Sequence, residues 1–310
     1  MKSKKIARFK KEFIRDWQLY LLILIASMSF IIFKYIPMYG IQIAFRNYRI
    51  ADGITGSEWV GLKWFIEFLT DPHFKKIFLN TLILSLYSFV TFPLPVIMAL
   101  IFNAMKSERY KKTAQTISYM PHFISMTVFI GILDMVLSPT SGIYGSVYRL
   151  LGGKGYPLDF RDLASSFRHL YVWSGIWQGL GWQTILYTSA LSSVSMELHE
   201  AAQIDGASRF KRIIHIDLPT IMPTVAIMLI LRMGSLVSVG FEKAYLMQNT
   251  LNLSTSELIS TYVYKKGLSD FRKFSYGTAV DLFNTIINIT LMIVTNYLSK
   301  KFTEDEISVF

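Results

Sequence analysis

HEAAQIDGASRFKRIIHIDLP, residues 199–219, is a short charged stretch set between two strongly apolar ones. Asp205-Gly206 lies at its centre and Leu218-Pro219 at its end. Its flanks decide the fold class. About 20 largely apolar residues, each adding about 1.5 Å of helix, cross a hydrocarbon layer of about 30 Å, and both neighbours of the stretch reach that length. Composition agrees: 52% of the 310 residues are hydrophobic and 17% are charged, against about 25% charged in a soluble domain. The expectation is an all-α polytopic membrane protein.

Working outward, six segments are long and apolar enough to span: 17–37, 78–104, 113–137, 171–194, 219–240 and 276–298. The chain divides into a basic N-terminus, 1–16, and a six-helix domain, 17–310. The opening MKSKKIARFKKEFIRD resembles the charged front of a signal peptide, but a long apolar run follows without a clean small-x-small cleavage site, so it reads as a retained first membrane helix. Charge sets the topology. With the N-terminus inside, segments 1–16, 105–112, 195–218 and 299–310 hold 16 Lys plus Arg in 60 residues, whereas 38–77, 138–170 and 241–275 hold 14 in 108. The denser side is expected to be cytoplasmic, which puts both termini and the quoted stretch inside.

Other classes are disfavoured. The net charge of +11 comes from cations that flank spans and form no basic surface interleaved with aromatics, so nucleic acid is not an expected partner. Zero cysteines exclude disulfides and thiol chemistry. His73, His122, His169, His199 and His215 show no paired metal-ligand spacing. No Gly-rich loop ends in Gly-Lys-Ser or Gly-Lys-Thr, so the chain is not expected to cradle nucleotide phosphates. An enzyme is not expected, and a membrane scaffold or sensor without transport activity stays open as the alternative.

Within the stretch, 197–204 and 207–214 read as two short helices joined at Gly206, where a side-chain-free residue lets the backbone turn. Pro219 opens the next span at a position where its missing amide is tolerated. The resulting elbow is either a linker lying on anionic lipid or a docking knob for another protein; periodicity alone does not separate them.

A resemblance does. Glu200-Ala201-Ala202, then Asp205-Gly206-Ala207, then Ile213, Ile216, Leu218 and Pro219 look like the cytoplasmic loop shared by permease subunits of binding-protein-dependent ABC importers. Phe210 stands where that family often has tryptophan and Ile213 where it often has phenylalanine, both keeping apolar bulk. IPMYGIQIAFRNY at 36–48, WVGLKWFIEF at 59–68, LNTLILS at 79–85, LRMGSLVSVGFEKAYLMQN at 231–249 and the segment 256–267 resemble the sugar-transporting branch, especially members for complex oligosaccharides.

The resemblance implies a type I importer transmembrane domain in a bacterial cytoplasmic membrane, with 197–218 as the coupling loop. An ATPase dimer would dock there, binding the ATP and Mg that this chain does not. A second, related permease would complete a heterodimer in the lipid, and an extracellular solute-binding lipoprotein would deliver the oligosaccharide. Glu200, Asp205 and Gly206 are the main coupling expectations, Ala201, Ala202 and Ala207 keep the surface small, and Phe210, Ile213, Leu218 and Pro219 complete it.

The pathway is marked more faintly. Arg232 falls within the fifth span, with Asp134 and Asp281 in or near others, and intramembrane ionisable groups face a bundle interior or water; Arg232 either lines or gates the path, or makes a structural pair or snorkels to an interface. Glu242 is assigned to the same gate. Trp173 and Trp177 share a face at i,i+4 and suit an interfacial belt, while Trp177, Trp182, Gln183 and Tyr187 are the candidates for contact with sugar rings and hydroxyls. Pro93 and Pro95 are expected to kink the second span. The aromatics Trp59, Trp64, Tyr144, Tyr148, Tyr156, Phe160 and Phe167 form either a cap that meets the binding protein or a brace for the fold.

Overall fold

The computed structural model describes residues 14–269 and 272–302. Most of the basic N-terminus, 1–13, and the tail 303–310 lie outside them. The architecture is helical, and its first element shows why. Apolar side chains run on every face from α1 (Trp17–Phe30) onward, so the segment suits an apolar medium all round. It continues as one helical run to Phe45, past the expected end at Pro37, and none of its most apolar window is buried by the rest of the chain. Proline removes one helical hydrogen bond, here the one due to the carbonyl of Phe33. A widened π turn at Ile31–Tyr35 takes up the defect.

A small antiparallel ribbon follows, β1 (Arg46–Arg49) against β2 (Ser57–Trp59), with Arg46 opposite Trp59. Phe45 stacks on Trp59 with ring centres 5.5 Å apart, and the indole of Trp64 donates to the Arg46 carbonyl at 2.9 Å. Trp64 thus braces the fold. Trp64 belongs to α2 (Lys63–Leu69), after which α3 (Phe74–Val90) and α4 (Pro93–Asn103) form one apolar run interrupted at residues 91–92. Pro93 and Pro95 both fall in the first turn of α4, where amides have no helical acceptor. They start a second half-helix rather than disrupt a first.

The third expected span is not straight. α5 (Glu108–Tyr119) is charged and polar, α6 (Met126–Leu137) is apolar, and the two meet at 103°. Pro121 in the intervening turn cannot continue the α5 hydrogen-bond ladder, and the Ser125 hydroxyl caps α6 by accepting from the Val128 amide. After α7 (Ile143–Leu150) comes α8 (Ala164–Leu191), the expected fourth span, with 28 residues or about 42 Å. It carries Arg168, His169, Gln178 and Gln183, among other polar groups. Among the described residues, length and apolarity together mark four helices able to span, or five if the bent α5–α6 pair is one span, so they do not by themselves mark all six expected.

The quoted stretch forms α9 (Met196–Ile204) and α10 (Arg209–Arg212), then a π turn at Ile213–Asp217 leading into α11 (Leu218–Met233). The expected separate helix 207–214 is instead the start of the fifth span, which runs unbroken from Arg209 and ends at Met233, earlier than expected. The π turn again centres on the carbonyl that proline deprives of a partner, that of His215 for Pro219. α12 (Phe241–Met247), α13 (Ile259–Val263) and the long α14 (Phe274–Phe302) complete the fold.

Packing centres on α8. Phe167 and Val172 join Leu84, Phe129, Ala244 and Leu258 in one buried cluster, while Tyr187 and Leu191 join Val96, Ala99 and Ile221 in another. Gly181 lets the end of α5 approach, because a side chain there would run into the Ser118 carbonyl. A third cluster unites Phe68, Ile77, Ile259, Tyr262, Tyr276 and Val280. Beside it Asp71 accepts from the Tyr262 hydroxyl, from Lys266 Nζ at 2.9 Å, from Tyr276 at 3.4 Å and from the His73 amide at 2.8 Å. Burial alone would raise its pKa; the donors, led by Tyr262, outweigh it and hold the carboxyl well below the usual carboxylate range.

Candidate functional site

Two features are built from the residues that the sequence singles out: a projecting elbow and a cavity along α8. In the elbow, Ser195 caps α9 by accepting from the Glu197 amide. The helix closes at Gly206, whose φ is +76°. The amide of Ala207 donates to the Ala202 carbonyl at 2.8 Å and that of Gly206 to the Gln203 carbonyl at 3.0 Å, the paired closure that a left-handed residue past a helix end permits. Open space surrounds the position a Cβ would take. The requirement for glycine is therefore conformational, not steric. Ser208 then caps α10 through the Lys211 amide.

Glu200, Ala201, Asp205, Phe210 and Pro219 are exposed, and Ala202, Ala207, Ile213 and Leu218 are half-buried. Phe210 is 71% exposed and Ile204, on the other side of the turn, 88%. Two apolar side chains thus stand bare around a small-residue surface edged by Glu200 and Asp205. The root is fixed by residues that the sequence reading passed over. Asp217 is buried, and its Oδ1 lies 3.1 Å from His199 Nε2 and 3.3 Å from Asn103 Nδ2, which donates to it. α9, α11 and the end of α4 are tied at one oxygen.

The cavity, about 900 Å³, runs along α8 from Tyr171 to Tyr187, about 24 Å of helix. Ser88, Thr91, Phe92 and Pro95 contribute from the α3–α4 break, Met228, Leu231 and Arg232 from α11, and Lys243 from α12. Of the expected pathway residues, Trp182, Gln183, Tyr187 and Arg232 line it together; Trp177 and Glu242 are outside its wall. Trp177 stacks on Phe129 with centres 5.7 Å apart, and Trp173 donates to the Tyr87 hydroxyl at 2.9 Å. Trp182 lies flat on His122, 4.6 Å between centres. Asp134 pairs with Arg161, and Asp281 is exposed on α14 away from the cavity.

Lys243 is the wall residue that the sequence reading missed. Its buried stem follows the apolar face of α12 with Ala244 and Met247, and its Nζ donates to the Tyr171 carbonyl at 2.7 Å. Gly175 makes room, since a Cβ there would come within 3.0 Å of that nitrogen. Burial pushes the ammonium pKa down to about 7. The signal was its spacing, four residues before buried Met247, whereas neighbouring Glu242 turns outward. Among the described residues, no group of three or more His, Asp and Glu is placed to hold a metal.

Spanning helices that carry an exposed charged elbow and a cavity along α8 make this a polytopic membrane protein with two candidate contact sites. Residues 74–304 match the inner membrane component of binding-protein-dependent transport systems, and the chain belongs to that family. It is 41% identical to protein LplB of Bacillus subtilis over 94% of this chain and 91% of that one. It is 39% identical to the B. subtilis polygalacturonan/rhamnogalacturonan transport system permease protein YteP, over 99% and 95%. A solved bacterial ABC transporter involved in the import of the acidic polysaccharide alginate has a chain that superposes with TM-score 0.84 at 35% identity, covering 96% of this chain and 99% of that one. This multi-pass chain is a non-catalytic ABC permease subunit, coupled to a separate ATPase, and it stands among the sugar-transporting members of the family.

Proposed function

We propose that this chain moves an oligosaccharide across the bacterial cytoplasmic membrane, with residues 199–219 as its contact with a cytoplasmic ATPase dimer that binds ATP and Mg. The observation that carries the reading is the elbow: a bare apolar and acidic crest on a root pinned to two spanning segments. Force applied to such a crest is transmitted to α4 and α11 through Asp217 rather than absorbed by a loose linker. In this reading α8 and the bent α5–α6 pair also cross, which gives six spans with both termini cytoplasmic. Residues 1–16 form the basic N-terminus, 17–310 the permease domain and 197–218 its coupling loop. A second, related permease faces this one across the translocation path, and an extracellular solute-binding lipoprotein delivers the sugar. The cavity supports a path lined by Trp182, Gln183, Tyr187 and Arg232, with aromatic planes for sugar C–H faces and amide and hydroxyl groups for sugar hydroxyls. Nucleotide-driven closing of the ATPases would bias the two-state rocking of the permease pair.

Affinity purification of the tagged chain from native membranes in mild detergent, with mass spectrometry of stoichiometric partners, tests the assembly. Recovery of an ATPase and a second permease is expected, and Gly206→Val should lose the ATPase while keeping the permease. Recovery of the chain alone, under conditions that preserve other membrane complexes, would overturn the reading in favour of a scaffold or sensor.

A further inference from the structure

The charge balance of the cavity singles out one class of sugar. Two cations, Arg232 and Lys243, line it, and no Asp or Glu is among the described residues of its wall. Arg232 is exposed, and its guanidinium has no carboxylate partner among the described residues. Lys243 is held in place by one neutral acceptor, the Tyr171 carbonyl, and by the rings of Tyr171 and Phe129 at 4.8 and 5.4 Å. Neither arrangement neutralises a cation. Arg161, Lys266 and Lys76 have carboxylate partners in Asp134, Asp71 and Glu257, whereas Arg46 and Arg168, like Lys243, bond neutral acceptors; what sets Arg232 and Lys243 apart is that both line the cavity. A neutral sugar would leave the Arg232 charge without a counter-ion and the Lys243 ammonium disfavoured by burial, whereas a carboxylate would meet the fork of Arg232 and favour the charged form of Lys243.

We propose that the cavity takes an anionic, carboxylate-bearing oligosaccharide, with Arg232 as the residue that selects for its charge and Lys243 as a second cation on the same wall. This rests on the reading of the cavity as the sugar path. Burial already disfavours the Lys243 ammonium, so an arriving carboxylate restores its charged form. Trp182 and Tyr187, farther along α8, offer surfaces for the uncharged parts of the rings.

The test uses the assembled importer, without its solute-binding protein, in vesicles of zwitterionic phosphatidylcholine, which removes anionic lipid as a competitor. Equilibrium binding is measured for a radiolabelled tri-uronate and for the same trisaccharide with its carboxyls reduced to alcohols. The uronate is expected to bind tighter by about tenfold to a hundredfold, the range of a charge-assisted contact, and added salt should narrow the gap. Arg232→Gln should lower uronate binding by most of that factor and neutral trisaccharide binding by much less, so that the ratio between them collapses, and Arg232→Lys should keep part of the ratio. Lys243→Gln is read the same way if the assembly stays intact by size exclusion; exposed Arg232 carries the decision in either case. Equal binding of both sugars, or an equal loss of both in Arg232→Gln, overturns the charge selection while leaving the sugar path standing. Binding of neither sugar overturns the sugar path and this inference together. Uronate binding that appears only in the absence of anionic lipid, and vanishes when phosphatidylglycerol is added, identifies the cations as a lipid-headgroup site and also overturns it.

Discussion

Two buried carboxylates bracket the same apolar run, Phe74–Asn103, and are built on different plans. Asp71, just before the run, collects donors from Tyr262, Lys266, Tyr276 and His73. Asp217, bonded to Asn103 at the other end, has a shared contact with His199 and one amide donor. A carboxylate that is surrounded by donors makes a fixed corner, because losing it strands several groups at once. One held by two partners on a single oxygen makes a tie that can be altered with less consequence for the fold. Stability is thus concentrated at the Asp71 end and mechanical linkage at the elbow end.

The sharpest way to break this contrast is Asp71→Ala. It leaves buried Tyr262 and Tyr276 hydroxyls and the Lys266 cation without their acceptor, and should cost about 3–5 kcal/mol in detergent unfolding. The same corner predicts a pH dependence. The folded pKa of Asp71 lies below that of the unfolded chain, so its stabilisation is complete above about pH 4 and lost as pH falls through the folded value. Thermal unfolding followed from pH 7 downward should show this loss, and Asp71→Asn should flatten the curve. Asp217→Ala should cost less, about 1–3 kcal/mol, yet separate ATP hydrolysis from sugar uptake in reconstituted vesicles; uptake per ATP equal to wild type would remove the tie from the coupling path.

Gly206→Ala should cost about 1–2 kcal/mol through its left-handed backbone, and Gly206→Asn should cost less, since asparagine tolerates that conformation. Equal effects of the two on ATPase co-purification would make side-chain bulk the determinant instead. The smallest stability effect is expected for Phe210→Ala. Its ring is largely exposed, so melting should shift within about 0.5 kcal/mol while affinity for the ATPase falls.

Much of the elbow was legible because its signals are local. Gly206 marked the turn, Glu200 and Asp205 the acidic edge, and Pro219 the entry to a span. The start of α14 was likewise close to where apolarity placed it, whereas the fifth span begins at Arg209, well before the expected residue 219. The polar ties were not legible. His199 and Asp217 are 18 residues apart in the chain, and Asn103 is farther still, so no periodicity announces their meeting. The ribbon at 46–59 was hidden for a similar reason, since register emerges from pairing rather than composition. The bend between α5 and α6 was masked because an apolar window averages over Pro121 and the Ser125 cap. α8 was counted as an apolar span, but Arg168 and His169 near its start, with Gln178 and Gln183 in the cavity wall, lower its apolarity so that length and hydropathy together do not mark it.

Two of the three widened turns among the described residues occupy the same place relative to a proline, Ile31–Tyr35 before Pro37 and Ile213–Asp217 before Pro219. Each α-helical residue rotates the chain by about 100°, so the extra residue in a wide turn acts as a phase offset between the helix on either side of it. The elbow therefore points where it does by clocking as much as by contact. Rewinding the same residues at the regular pitch, as Pro219→Ala would permit, would swing Phe210 by about a third of a revolution about the helix axis, leaving every side chain of the docking surface present but aimed past its partner, whereas deleting one residue, such as Ile214, would keep Phe210 in phase.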